Sequence, residues 1–127
     1  MTVEQAQHNF WSGFGVPAYR STSVIDPVTN DAPVLPYIVY EASSGFWLDT
    51  SNITVRCWFH TNSEAVPDAL AEQIGQAIGL GGINLPCDGG YIHVSRGTPW
   101  VYPGSGQDDK ELKVRNLNVT LTFFTTR

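Results

Sequence analysis

Two long runs of alternating side chains constrain this chain more than any other feature of its sequence. The first run covers residues 52–61 and the second covers residues 112–125. Their apolar members are Ile53, Val55, Cys57 and Phe59 in the first run, and Leu117, Val119, Leu121 and Phe123 in the second. Because successive side chains of a β-strand point to opposite faces, both runs predict strands with one buried face.

The second run contains one break in its alternation. Leu112 and Val114 have the phase opposite to that of Leu117 and the apolar residues after it. A β-bulge adds one residue to a strand and thereby reverses the phase of its side chains. We therefore expect a bulge or bend near Arg115 and Asn116.

Two segments have the apolar spacing of helices. Thr2 followed by Gln5 has the form of a capping box, which predicts a helix beginning after Thr2. The main helix is expected over residues 63–80, where glycines at its end stop it. Its apolar stripe consists of residues four apart, namely Val66, Leu70, Ile74 and Ile78.

The remaining elements complete a predicted α+β fold. Residues 37–41 and 91–95 have the composition of short strands, and the first pairs with the 52–61 strand as an antiparallel hairpin. The predicted order is α-β-β-α-β-β, with a mainly antiparallel four-stranded sheet and two helices packed against it. The chain has 127 residues, which fits a single domain over 1–127.

Residues 16–36, rich in Pro, Thr and Ser, are expected to have little regular structure and are a candidate intersubunit arm.

Composition favours an oligomer that does not hold nucleic acid. Charged residues make up only 15% of the chain, while it contains four Trp, five Tyr and six Phe, and aromatic residues are enriched at interface centres. The net charge of −5 argues against a protein that binds nucleic acid by neutralising its phosphates, although DNA can slide through an acidic ring without being held.

No signal peptide or membrane-spanning run is evident. We expect a soluble protein made in the cytoplasm, with no membrane partner.

Two cysteines and two histidines of the chain are candidate ligands of a metal ion. Cys57, His60, Cys87 and His93 are residue types that bind zinc. Cys57 and His60 are three apart on a predicted strand and so project from opposite faces. We expect two reduced thiols and no metal site.

Catalytic groups are equally sparse. Ser12 and Ser95 are possible nucleophiles, but neither lies in a nucleophile elbow. Asp108 and Asp109 form a carboxylate pair within a polar loop. The sequence predicts no enzyme and no cofactor.

Three segments, in order, resemble the tail terminator (tail-completion) proteins of phages with long, flexible tails, including minor capsid-type proteins of phages of Gram-positive hosts. Residues 35–41 (Leu-Pro-Tyr-Ile-Val-Tyr-Glu) are similar to a Pro-Tyr-Ile-Thr-Tyr-Glu strand of that family. Residues 91–100 resemble its strand ending in an Arg-Gly-x-Pro-aromatic turn. Residues 113–125 resemble its closing strand, a basic residue followed by an aliphatic-Asn-aliphatic core and an aromatic pair.

The resemblance implies a structural role in the virion, at the junction of tail and neck. Tail terminators form a hexameric ring that caps the tail tube, stops its polymerisation and forms the head-docking surface. The implied partners are further copies of the chain, the major tail tube protein and a head-completion or neck protein. Genomic DNA would pass through the ring without specific binding. The family has no catalytic residues or cofactors to transfer.

Two aromatic groups are our candidate subunit interfaces, because a cyclic ring joins two different patches. They contain Phe46, Trp47 and Trp58 on the hairpin, and Trp100, Val101 and Tyr102 after the third strand. The segments 43–52 and 103–111 are candidates for contact with the tube or lumen. The charged residues assigned there are Asp108, Asp109, Lys110, Lys113 and Arg115.

Other interpretations remain open from the sequence alone. The aromatic groups are also compatible with ordinary core packing, and the basic residues with ion pairs. Another neck protein, such as a head-closure or adaptor ring, is the nearest alternative function. A small ligand-binding or enzymatic α+β domain with an aromatic pocket is a further one.

Overall fold

The computed structural model describes residues 1–24, 33–104 and 110–126. Helix α1 covers Val3–Trp11 and is followed by a 3-10 turn at Ser12–Phe14. Strands β1 (Ala18–Arg20), β2 (Tyr37–Tyr40) and β3 (Thr50–His60) precede helix α2 (Ala65–Ile78). Strands β4 (Ile83–Cys87), β5 (Gly90–Pro103) and β6 (Leu112–Thr125) complete the fold.

All six strands belong to one sheet, in the spatial order β1-β2-β3-β6-β5-β4. β1 is parallel to β2, while each of the other neighbouring pairs is antiparallel. The predicted four-stranded, mainly antiparallel sheet with the order α-β-β-α-β-β is therefore wrong. The sheet is six-stranded and mixed, and the order is α-β-β-β-α-β-β-β.

The two missed strands explain that error. β1 has three residues and β4 has five, so neither is long enough to give a clear alternation. Pro86 also lies within β4, and proline is depleted in strands except at sheet edges. Both strands are indeed edges of the sheet. The segment 16–36, expected to lack regular structure, contains β1, and its residues 25–32 lie outside the described part.

One face of the sheet, here called the inner face, forms the core with both helices. Ile53, Val55, Cys57 and Phe59 of β3 lie on it, as the alternation predicts, and each is at most 5% exposed. The paired residues of β6 share this face. Trp11 of α1 and Leu70, Ile74 and Ile78 of α2 join the same cluster. Val66, predicted to share the apolar stripe of α2, is instead 49% exposed. The other face of the sheet is called the outer face below.

The predicted bulge near Arg115 and Asn116 is wrong. β3 and β6 pair without interruption from Thr50 opposite Thr122 to His60 opposite Leu112. The irregularity lies in β5, between Arg96 and Val101.

The break in alternation has a different cause. Arg115 occupies an inner-face position where an apolar residue would be expected. Val114 points to the outer face but is only 3% exposed, and it packs so closely on Gly104 that a side chain there would overlap it. Because Val114 is buried on the outer face and the polar Arg115 lies on the inner face, the apolar alternation of β6 changes phase here without an added residue.

Helix α1 begins as predicted. Thr2 Oγ1 accepts a hydrogen bond from the Gln5 amide, and Gln5 Oε1 accepts one from the Thr2 amide, which is a complete capping box. α2 covers Ala65–Ile78 rather than the expected 63–80, and it is capped by Gly79 (φ 77°), one of the glycines predicted to stop it. No helix in the described residues is long and apolar enough to cross a membrane.

Gln7 connects α1 to the segment after β2. Its side chain is 1% exposed, and Nε2 donates to Ser43 O at 2.6 Å while Oε1 accepts from Ser43 N at 3.2 Å. The backbone N–H and C=O of Ser43 therefore both have the buried Gln7 amide as their hydrogen-bond partner.

Substitution Gln7→Leu should lower the free energy of unfolding by about 1–3 kcal/mol, because the Ser43 groups lose their partners while half-buried. Urea denaturation measures this change. Gln73→Leu, on the exposed side of α2, is the matched control and should shift the midpoint little. Equal effects of the two substitutions would contradict the assigned role of Gln7.

Candidate interaction surface

Three consecutive large apolar side chains are exposed between β2 and β3. Phe46, Trp47 and Leu48 have exposed fractions of 65%, 58% and 63%. We call residues 46–48 the apolar turn. Isolated exposed apolar residues are common in soluble proteins, but a contiguous apolar patch marks an interaction site.

Backbone hydrogen bonds fix the apolar turn in one conformation. Asp49 N donates to Phe46 O at 2.9 Å, and Phe46 N donates to Asp49 Oδ2 at 2.8 Å. Leu48 N donates to Phe123 O at 2.7 Å, and Phe123 N donates to Asp49 O at 2.9 Å. The turn is thus closed on itself and attached to β6.

Gly45 allows the close approach that this attachment needs. A Cβ atom there would lie 2.8 Å from Asp49 Cβ and 3.0 Å from the ring of Phe123. Thr125 Oγ1 also donates to Gly45 O at 2.9 Å. The segment entering the turn is therefore held against the end of β6 at a position that fits only glycine.

Leu48 has a strained backbone. Its φ of 69° makes it the only non-glycine residue in the left-handed region among the described residues. This conformation costs an ordinary L-residue about 1–2 kcal/mol relative to right-handed geometry. Such strain persists where surrounding contacts impose it, and it concentrates at functional sites.

An aromatic row continues from the turn onto the outer face. The ring of Trp47 packs edge-on against Phe124 with centroids 5.4 Å apart, and Phe124 stacks on Tyr91 at 4.9 Å. Tyr91 is 37% exposed. Phe124 and Tyr91 are neighbours through the pairing of β5 with β6. That register was not predicted, and no pattern in the sequence joins these two residues to Trp47.

Acidic side chains lie next to the turn. Glu4, Asp49 and Asp88 line a cavity of about 490 Å³ together with Phe46. Asp88 Oδ1 is paired at 3.0 Å with the α-amino group of Met1, so the net negative charge beside the apolar turn comes from Glu4 and Asp49.

The other proposed interface residues lie elsewhere on the sheet. Trp58 is half-buried on the outer face, between Tyr37 of β2 and Val114 of β6. From Thr50, next to the apolar turn, to Trp58 the strand rises about 26 Å at about 3.3 Å per residue. Trp58 is therefore not part of the surface formed by Phe46 and Trp47.

The residues at the end of β5 divide into two environments. Tyr102 is 41% exposed and pairs with Asn116, which places it on the outer face at the same end as Trp58. Trp100 is half-buried against α2, where a Cβ at Gly75 would lie 2.9 Å from its Nε1 atom. Trp58 and Tyr102 share a region of the outer face, while Trp100 packs on the helix.

Two of the proposed lumen residues form ion pairs with α2. Arg115 is 6% exposed; its Nε donates to Asp68 Oδ1 at 2.9 Å and its Nη2 pairs with Glu64. Lys113 Nζ lies 3.5 Å from Glu64 Oε1. Lys110 is exposed, and Asp108 and Asp109 lie outside the described residues. This cluster joins β6 to the first turn of α2.

The ion pairs shift the ionisation of their members. The hydrogen bond from Arg115 holds the pKa of Glu64 below its ordinary value of 4.5, and the charges of Arg115 and Lys113 lower it further. Burial alone would lower the pKa of Arg115, but its hydrogen bonds to Asp68 and Glu64 outweigh this effect and raise the pKa above its ordinary value.

The candidate metal ligands are not brought together. Cys57 points into the core, where burial raises its pKa to about 12, while His60 lies on the outer face. His93 Nδ1 is 2.7 Å from Asn84 Oδ1, and both cysteines are free thiols. In the described part of the chain, no group of three or more His, Cys, Asp or Glu residues is placed to hold a metal ion.

Ser12 takes part in a short chain of hydrogen bonds. Its Oγ lies 3.2 Å from His8 Nε2, and His8 Nδ1 lies 2.9 Å from the hydroxyl of Tyr40. The hydrogen bonds of His8 thus end on the Tyr40 phenol and not on a carboxylate, and burial raises the pKa of that phenol. Ser95 instead donates to Thr120 O at 3.5 Å.

Comparisons with protein-family models, with curated proteins and with solved structures find no match to this chain. The function is therefore argued from the residues and their geometry.

We predict that Leu48→Gly leaves the free energy of unfolding unchanged or raises it by up to about 1 kcal/mol. Glycine relieves the left-handed strain, which offsets its larger loss of chain entropy. Thermal denaturation followed by circular dichroism measures the effect. The control is Leu80→Gly: Leu80 is 97% exposed without positive φ, so this change should be neutral or destabilising. A loss above about 1 kcal/mol in Leu48→Gly would identify Leu48 as a packing residue.

The ion-pair cluster predicts a specific pH dependence. Because the pKa of Glu64 is lowered in the folded state, its contribution to stability is present above pH 4.5 and is lost as the pH falls through the lower folded-state value. Glu64→Gln should therefore destabilise the protein at pH 7, and its difference from wild type should shrink in acid. Denaturation midpoints at several pH values measure this. Glu72→Gln, whose partner Gln76 lies on the same helix, should give a smaller difference.

Proposed function

We propose that this chain is a non-catalytic assembly protein of a tailed bacteriophage that forms a ring at the junction of tail and neck. In this role it caps the tail tube, stops its polymerisation and provides the surface to which the head docks. The ring consists of copies of this chain, six by the resemblance of the three sequence segments. Its other partners are the tail tube protein and a head-completion protein.

The apolar turn is the observation that carries the proposal. It exposes three large apolar side chains on a backbone that hydrogen bonds hold rigid and strained at Leu48. Rigid apolar groups bind with little loss of conformational entropy, and aromatic residues are enriched among those that dominate binding energy. A role in binding another protein accounts for both the exposure and the strain.

A second aromatic region supports a ring over a simple dimer. Trp58 and Tyr102 share the end of the outer face opposite the apolar turn. A ring of cyclic symmetry joins two different surfaces of each subunit and leaves further surface for the tube and the head-side partner. An aromatic region separate from the apolar turn fits that requirement.

Charge supports the proposed relation to DNA. The chain carries 12 acidic residues against 7 Lys and Arg. Two of the basic side chains, Lys113 and Arg115, are already paired with α2. An acidic ring allows DNA to pass without being bound.

Removal of the gene from the phage tests the capping role. Loss of a terminator should give tails of uncontrolled, excessive length by electron microscopy, because nothing stops tube growth. Tails of normal length without heads would instead identify a head-closure or adaptor ring and would overturn the terminator assignment.

Purified protein gives a second test. Trp47→Ala should weaken assembly at least tenfold, measured by native mass spectrometry at micromolar concentration and by cosedimentation with tail tubes. Its circular dichroism spectrum should stay unchanged, because Trp47 is 58% exposed. Leu80→Ala, a change at an equally apolar but isolated exposed side chain, should leave assembly intact. A wild-type protein that stays monomeric both alone and with tubes would sink the proposal.

A further inference from the structure

A second cavity lies at the edge strand β1 and the end of α1. It has a volume of about 520 Å³, and its lining includes Pro17, Ala18 and Tyr19 as apolar or aromatic walls and His8, Ser12 and Arg20 as polar ones. Cavities of about 300–1,000 Å³ accommodate small molecules. This one therefore has room for the indole of Trp47 and the side chain of Leu48.

The charges around this cavity are opposite to those around the apolar turn. Arg20 carries a positive charge here, whereas Glu4 and Asp49 lie beside Phe46. Asp88, on the same side as Phe46, is already paired with the α-amino group of Met1 at 3.0 Å. Complementary charge on two surfaces steers their encounter and fixes their register. The cavity also offers a hydrogen-bond acceptor, Ser12 Oγ, for an indole N–H, which needs a partner when buried.

The two features occupy different parts of one subunit. The apolar turn is attached to the end of β6, in the middle of the sheet, while the cavity lies at the outermost strand, β1. A contact between them across two copies joins unlike patches. Such a contact is repeated by every added subunit and closes into a ring when the rotation permits.

We propose that the apolar turn of one copy docks into the β1 cavity of the next copy. The inference rests on the proposed function, because it identifies the partner of the apolar turn as a second copy of this chain. Trp47 and Leu48 fill the cavity, and Arg20 faces the acidic region around Glu4 of the neighbour.

Mixing two variants tests this pairing. Trp47→Ala removes the docking side chain, and Arg20→Glu reverses the charge of the cavity. Each variant alone should be monomeric in native mass spectrometry, with unchanged circular dichroism. An equimolar mixture should form dimers and nothing larger, because each pair retains only one intact turn and one intact cavity.

A charge exchange provides a second readout. Glu4→Lys combined with Arg20→Glu again places opposite charges across the same contact. The double variant should therefore assemble at least tenfold more tightly than Arg20→Glu alone.

The outcomes separate this inference from the proposed function. If Trp47→Ala dissociates the assembly but Arg20→Glu does not, the apolar turn still binds a partner and the β1 cavity is not that partner. If both variants are monomeric but their mixture yields no dimer, the two surfaces do not meet and the docking inference is overturned. A wild-type chain that never assembles, even with tubes, overturns both.

Discussion

The rest of the structure depends on the uninterrupted pairing of β3 with β6. These two strands lie at the centre of the sheet and match residue for residue from Thr50 to His60. Their inner face supplies the apolar surface against which both helices pack. At one end of this pairing, Phe123 holds the apolar turn; near the other, Arg115 holds the first turn of α2. A single register therefore positions both the candidate interaction surface and the main helix.

The two faces of the sheet differ in what covers them. The inner face is closed by α1 and α2, and its side chains are almost fully buried. No helix covers the outer face within the described residues, and its aromatic side chains gather at opposite ends, around Phe124 and around Trp58. The separation suits a protein that contacts two partners at once. It also explains how a chain with 15% charged residues carries apolar surface without disturbing its core.

Sequence reasoning succeeded where one local rule acted alone. The alternation in β3, the capping box of α1 and the glycine that ends α2 each specify their element without help from distant residues. It failed for β1 and β4, because strands of three and five residues contain too few side chains to show a clear alternation. The bulge was misplaced because ion pairing can put an arginine at an inner position, and a sequence pattern does not reveal its partners. For the site, Phe46, Trp47 and the segment 43–52 that contains Leu48 were predicted as contact surfaces. The strain at Leu48 depends on a backbone angle, and the contribution of Tyr91 and Phe124 depends on a register.

The shortness of the edge strands has a consequence for the proposed association between copies of this chain. An exposed strand edge presents unpaired amides and carbonyls, and these recruit further strands without limit. Here β1 offers three residues and β4 offers five, one of them Pro86, which has no amide hydrogen to donate. These two edges therefore present few unpaired backbone groups to which further strands could add in a fibril. In the proposed ring, contact at these edges falls to side chains, whose fit would set both the angle between neighbouring copies and the number that can join.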